Sequence, residues 1–142
     1  MRRKFRVFLE GDFVETWDGE IYDVKGFVHP PGKVIAFVKY VPSKEADRFR
    51  HGVGYRRVYD LEERFRYLQE VKPQYLVFDE VFGRVMAEIP LDDIKEHYLP
   101  EARLQSLRRR KILDRVERCA LDFAKKVKEM SGIPWLNMGV SG

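Results

Sequence analysis

Through the first sixty residues apolar and polar positions alternate with a period near two. Phe5, Val7 and Leu9 alternate with Arg6, Phe8 and Glu10, and the runs Phe13 to Trp17, Ile21 to Val28 and Val34 to Val41 follow. Asp18-Gly19 and His29-Pro30-Pro31-Gly32 separate these runs, and both are turn signals between β-rich segments. Val34, Ile35, Ala36, Phe37 and Val38 form a nearly continuous apolar run, the pattern of a central strand. The connections are too short for parallel crossovers, so the pattern predicts an antiparallel meander. Pro42 to Gly54 reads as a polar loop and Val53 to Tyr59 as a returning edge strand.

From Asp60 the period changes. Asp60 and Glu63 have capping-box spacing, Leu61, Phe65 and Leu68 make one helical stripe, and Lys72-Pro73 stops it. Tyr75 to Phe78 and Arg84 to Ile89 read as two short strands around Gly83. Pro90 is expected to open a short helix with Asp92 and Asp93 in its first turn. A long helix is expected from about Gln105 to Ser131, closed by Gly132 and Pro134. Its apolar residues Leu113, Val116, Ala120, Phe123, Val127 and Met130 step by 3, 4, 3, 4, 3 and should lie against a covering surface. The expected fold is α+β: an antiparallel meander with short helices, then a long C-terminal helix and the start of a strand. The division is into an accessory domain, 1–100, and a basic helix with the strand it leads into, 101–142.

Composition narrows the class. Hydrophobic residues are 44% and aromatics 13% of the 142 residues, enough for a packed core. No apolar run reaches the roughly 18 residues of a membrane span. The start, Met1 to Arg6, is charged but has no apolar stretch behind it, unlike a signal peptide. The expectation is a cytoplasmic protein with no membrane partner. Many Lys, Arg and Glu with one Asn resemble proteins from hot environments. Cys119, the only cysteine, excludes an internal disulfide and sits in the helical pattern as a small apolar side chain. His29, His51 and His97 are scattered and suggest no metal site.

Charge is uneven. Residues 103 to 128 hold ten basic side chains against three acidic ones, whereas the whole chain is only +4. The run Arg108, Arg109, Arg110, Lys111 is the candidate polyanion site, with nucleic acid or another acceptor as partner. The competing reading is a solvated face with i,i+4 pairs such as Asp114 with Arg118. Basic and aromatic residues also interleave in Lys39-Tyr40, in Tyr55-Arg56-Arg57-Val58-Tyr59 and in Arg64-Phe65-Arg66-Tyr67. Stacking platforms have this composition, and so do amphipathic strands and helices. Asp79 and Glu80 are adjacent on a strand, so they point apart and cannot share a proton or a metal. No catalytic constellation is visible.

Ser131-Gly132-Ile133-Pro134, followed by Trp135 to Gly142, resembles the helix-to-strand passage of the polymerase-β-like nucleotidyltransferases. Three upstream stretches, Gly11 to Thr16, His29 to Pro42 and Gly54 to Val58, resemble the N-terminal region of an archaeal family of predicted nucleotidyltransferases. The resemblance implies a non-catalytic N-terminal portion that assists substrate or acceptor binding. Gly142 would stand as the glycine of that superfamily's Gly-Ser, where the nucleotide motif starts. Mg²⁺ and a nucleoside triphosphate are implied for the whole protein, held by an Asp-x-Asp pair this segment lacks. The alternative is an autonomous module that binds nucleic acid or protein through the basic helix. The stripe on that helix also makes a homo-oligomer an expectation.

Overall fold

The computed structural model describes residues 6–142, and these fall into two compact units that divide between residues 97 and 98. The first unit is built on an antiparallel sheet. Its strands are β1 (Phe13–Thr16), β2 (Ile21–Val24), β3 (Lys33–Pro42), β4 (Arg48–Arg50), β5 (Val53–Arg57), β6 (Leu76–Asp79), β7 (Arg84–Pro90) and β8 (Ile94–Tyr98). The order is β4-β5-β3-β2-β1-β8, and β7 joins on β3 and carries β6. The ten-residue β3 organises the sheet. Its start pairs with β7, its middle with β2 and its end with β5, all antiparallel.

The turn chemistry acts as the sequence predicts. Gly19 takes a left-handed φ of 86°, and its N–H donates to Thr16 O across the tip of the first hairpin. Gly32 has φ 75°, and Lys33 N–H donates to Pro30 O. Helix α1 (Leu61–Val71) is capped by Asp60, whose side chain accepts from Glu63 N–H at 2.7 Å. Its Leu68 is buried and Phe65 half-buried, while Leu61 is exposed, so the buried stripe is narrower than expected. The core gathers Val14, Tyr22, Val24, Val34, Ala36, Val38, Ala87, Ile89 and Ile94, with Leu68 and Tyr75 above them.

Four expectations change, and the first is that the polar loop from Pro42 to Gly54 holds β4, which makes the sheet edge in place of β5. Phe5 lies outside the described residues, and residues 6–9 form no strand; there Phe8 inserts into the core while Val7 stays exposed. The second strand stops at Val24, leaving Phe27 and Val28 exposed before the Pro30-Pro31 turn. The short helix expected at Pro90 is a single 3₁₀ turn, Leu91–Asp93, followed by β8. Burial of Ile94 and pairing beside β1 outweigh the first-turn acids. The Asp93 carboxylate accepts from Tyr75 OH at 2.7 Å, and the backbone carbonyl of Asp92 accepts from the Trp17 indole N–H at 3.2 Å.

In the second unit the expected long helix is two: α2 (Pro100–Arg109) and α3 (Arg115–Ser131). Asp114 caps α3 in a capping box with Glu117, so the chain restarts a helix there instead of running through. Gly132, at φ 70°, closes α3 as expected. The unit's core is small: Leu104, Leu121 and Ala124, with Leu113, Trp135, Met138 and Val140 against them. The apolar stripe is therefore largely not buried. Val116, Phe123 and Met130 are 77%, 70% and 88% exposed, because α3 turns the face of Leu121 and Ala124 inward instead. Cys119, expected inside, is exposed as well. After a 3₁₀ turn at Trp135–Asn137 the last residues form no strand, and Val140 N–H donates to Pro100 O at 3.0 Å.

A candidate polyanion site

The three basic-aromatic segments, distant in sequence, meet where β3, β5 and α1 come together. Lys39 Nζ sits 4.7 Å from the Phe13 ring centroid and 5.9 Å from that of Tyr40. The Arg48 guanidinium lies 5.4 Å from the Tyr40 ring, and that of Arg57 lies 5.0 Å from the Tyr59 ring. The register that pairs Tyr40 with Arg57 brings the second group beside the first. Helix α1 adds Phe65, whose ring is 5.8 Å from that of Phe37, and Arg64, which donates to Val58 O and Tyr59 O. Cation–π contacts of this kind hold each cation by about 0.5–1 kcal/mol where solvent reaches them.

Charge there is unbalanced. Asp23, Asp47 and Glu63 are taken by Lys25, Arg48 and Arg56 at 2.9, 3.1 and 2.7 Å. Lys39, Arg57 and Arg64 have no carboxylate within ion-pair distance among the described residues. Arg57 Nε is buried without a hydrogen-bond partner, a donor left open. Burial pushes the Lys39 ammonium below its ordinary pKa; Asp23 offsets part of this, and Arg57, Arg64 and Lys25 push it further down. Half-buried like charges of this kind are relieved by an anion. Tyr59 at the rim is 61% exposed and offers an open ring face.

All four residues of the run read from sequence as the polyanion site, Arg108 to Lys111, are exposed, and three of them have partners. Arg110 and Arg103 converge on Glu117 at 2.8 and 3.0 Å. Arg108 donates to Gln105 and lies 4.1 Å over the Trp135 ring, while Arg109 donates to Gln105 O. The pairing expected between Asp114 and Arg118 is absent among the described residues, because Asp114 caps α3 instead. Lys111 is exposed at the break between α2 and α3. Gly142 has φ 123° and open space around it. The close backbone approach is made by Gly139, where a Cβ would meet Pro100 at 2.6 Å.

Buried polar groups missed by the sequence reading serve the fold. Glu20 accepts from the hydroxyls of Tyr22, at 3.3 Å, and Tyr67, with Lys72 at 3.9 Å. Asp12 accepts from Arg6 at 2.9 Å, Leu9 N–H at 3.0 Å and His97 at 2.8 Å. Burial alone would raise its pKa, but those bonds hold the carboxyl below the ordinary value. His29 and His97, scattered in sequence, both flank the Phe8 ring, and His29 Nδ1 accepts from Ile35 N–H. Asp79, the last residue of β6, turns inward and accepts from Val81 and Phe82 N–H, while Glu80 lies in the turn that follows and is exposed, not beside it on the strand as expected. Glu88, whose carboxyl is raised by burial and then by Asp79, takes Lys33 at 3.4 Å. The residues present do not fit a Mg²⁺ site. Among the described residues no three His, Cys, Asp or Glu side chains gather in a metal-holding group, and Asp12 and Glu20 are saturated by their partners.

Over 92 residues the chain is 32% identical to an uncharacterized protein of Methanocaldococcus jannaschii, MJ1086. The match takes in 59% of this chain, which spans 27% of the length of that curated relative. No family model and no solved structure matches the chain. No helix among the described residues is long and apolar enough to cross a membrane.

Proposed function

We propose that this chain is a non-catalytic accessory region of a nucleotidyltransferase-like protein, and that its patch around Lys39 holds the phosphates of a substrate or nucleic-acid acceptor. The observation that carries the reading is the meeting of Lys39, Arg57 and Arg64 without a neutralising carboxylate, beside the exposed ring of Tyr59. A phosphate seated there gains charge-assisted hydrogen bonds and relieves the mutual repulsion of the cations. A base or sugar edge can then stack on Tyr59. The resemblance in the terminal residues ties this holding role to nucleotidyl transfer. Mg²⁺ and the nucleoside triphosphate would belong to the catalytic part of such a protein.

The test is fluorescence anisotropy with a labelled single-stranded oligonucleotide and with a nucleoside triphosphate at two salt concentrations. Lys39→Gln with Arg57→Gln should weaken binding at least about tenfold and reduce the salt slope by roughly two. Unchanged affinity in that variant overturns the reading. The second reading, a module that binds through the basic helix, draws on Lys111, exposed at the end of the 108–111 run. It predicts instead that reversing Arg109 and Arg110 to Glu abolishes binding while the Lys39 patch variant retains it.

A further inference from the structure

A one-residue slip in the sheet builds the patch around Lys39. Ile21 pairs with Tyr40 but Tyr22 pairs with Val38, so β3 carries one residue more than β2 there, a β-bulge. Strand side chains alternate between faces, and the extra residue resets the alternation. Val38 and Val41 both enter the core, while Lys39 and Tyr40 between them share the outer face. An unbroken strand would point that ammonium and that ring apart. Arg57, paired with Tyr40, joins them.

Tyr59 stands on this patch as a fixed ring. The Arg57 guanidinium lies 5.0 Å from its centroid, and Arg48, 5.4 Å from the Tyr40 ring, reaches its hydroxyl. Arg64 donates to its carbonyl oxygen. These contacts take one face and one edge of a residue that is still 61% exposed, and the other face is left to solvent. Cations and rings thus follow one another in contact across the patch, in the order Lys39, Tyr40, Arg48, Tyr59, Arg57.

We infer, resting on the phosphate-holding role proposed above, that the ligand of this patch is a single-stranded nucleic acid, with an unpaired base stacked on Tyr59 and the adjoining phosphate held by Lys39 and Arg57. Three features select the strand. A fixed and exposed ring face is complementary to the face of a base, and within a duplex the base faces are covered by their neighbours. The succession of rings and cations matches the succession of bases and phosphates along a strand. The donors are side chains spread over β3, β4, β5 and α1, whereas a triphosphate is gathered by consecutive backbone N–H groups of a glycine loop. Gly54 on β5 makes no such loop: a Cβ there would meet Ala46 at 2.5 Å and Ser43 O at 3.0 Å, so its lack of a side chain serves packing.

Fluorescence anisotropy on the 142-residue chain tests this with three labelled probes: a single strand of about twelve nucleotides, the same strand annealed into a blunt duplex, and a nucleoside triphosphate. The single strand should bind at least about tenfold tighter than either of the others. Tyr59→Ala should weaken its binding by about fivefold or more, with an unchanged salt slope and unchanged far-ultraviolet circular dichroism, because a stacking face and no charge is lost. Tyr59→Trp, which keeps a ring, should bind the strand as the wild type does. Equal affinity for strand and duplex, a triphosphate that binds as tightly as the strand, or a Tyr59→Ala variant with wild-type affinity overturns the inference. Each of these leaves the phosphate-holding role standing as long as Lys39→Gln with Arg57→Gln still weakens binding and lowers the salt slope. Failure of that double variant to change binding, or no binding of any probe, overturns the phosphate-holding role and this inference with it.

Discussion

The two units of this chain spend their apolar residues differently. In residues 1–97 fourteen buried side chains form one cluster, and buried acids such as Asp12 and Glu20 are met by Arg6, His97 and tyrosine hydroxyls. In residues 98–142 the corresponding cluster has three buried members, while Val116, Phe123 and Met130 remain in water. A sheet fixes both of its neighbours and its face at once, so nearly every apolar residue of β3 finds a place. Two helices of 10 and 17 residues cover only one stripe of each other, and any second stripe is left over. The first unit leaves large apolar side chains in water too, Phe27, Phe49, Phe78 and Val81 among them, but around a much larger buried core.

The comparison breaks first at the cores. Leu68→Ala should destabilise the first unit by about 2–5 kcal/mol, since Leu68 is fully buried in the larger cluster. Chemical denaturation followed by the fluorescence of its tyrosines would measure this. Leu121→Ala should cost toward the lower end of that range, because the smaller core around it collapses more readily. Equal losses at the two sites would show that the units are equally well packed.

A middle-sized effect concerns Asp12. Its carboxyl is held below the ordinary value in the folded chain, so its contribution is present above the unfolded pKa and lost as pH falls through the folded one. Asp12→Asn should therefore lower stability near neutral pH and flatten its decline below about pH 4. Denaturation midpoints at a series of pH values would show it, and a variant with the wild-type acid limb would remove Asp12 from the account.

Glu117→Gln loosens the cap of α3 and releases Arg103 and Arg110, a loss of stability confined to the second unit. Hydrogen exchange should quicken in the first turn of α3 and stay unchanged in the sheet. The smallest effect is expected at Phe123. Phe123→Ala should shift stability by no more than about 0.5 kcal/mol, as at an exposed surface position. A loss there as large as that of Leu121→Ala would mean that the stripe is covered within its own unit.

Local signals were legible wherever a residue acts on its own neighbourhood. The turns at Gly19 and Gly32, the cap at Asp60 and the stop at Gly132 stand where the sequence places them. The break between α2 and α3 was legible too, in the Asp114 to Glu117 spacing, but the continuous apolar stripe spoke louder. The α+β class follows from the change of period alone. Which apolar face turns inward does not, because periodicity shows that a helix has a stripe and not what covers it. Leu121 and Ala124 are as apolar as Val116 and Phe123, and only the position of α2 and of Trp135 to Val140 selects them.

The candidate site divides along the same line. Arg108 to Lys111 stood out because charge density is a property of consecutive residues, and the fold then gave Arg110 to Glu117 and Arg108 to Trp135. Lys39, Arg57 and Arg64 carry no such local mark. They become one site only through the β3–β5 register and the seating of α1. Composition, turns, caps and period were determined by the sequence itself, since each rests on interactions within a few residues. The charge balance of a surface was decided by tertiary structure, because Coulomb energy depends on distance in space, and distance is what folding sets.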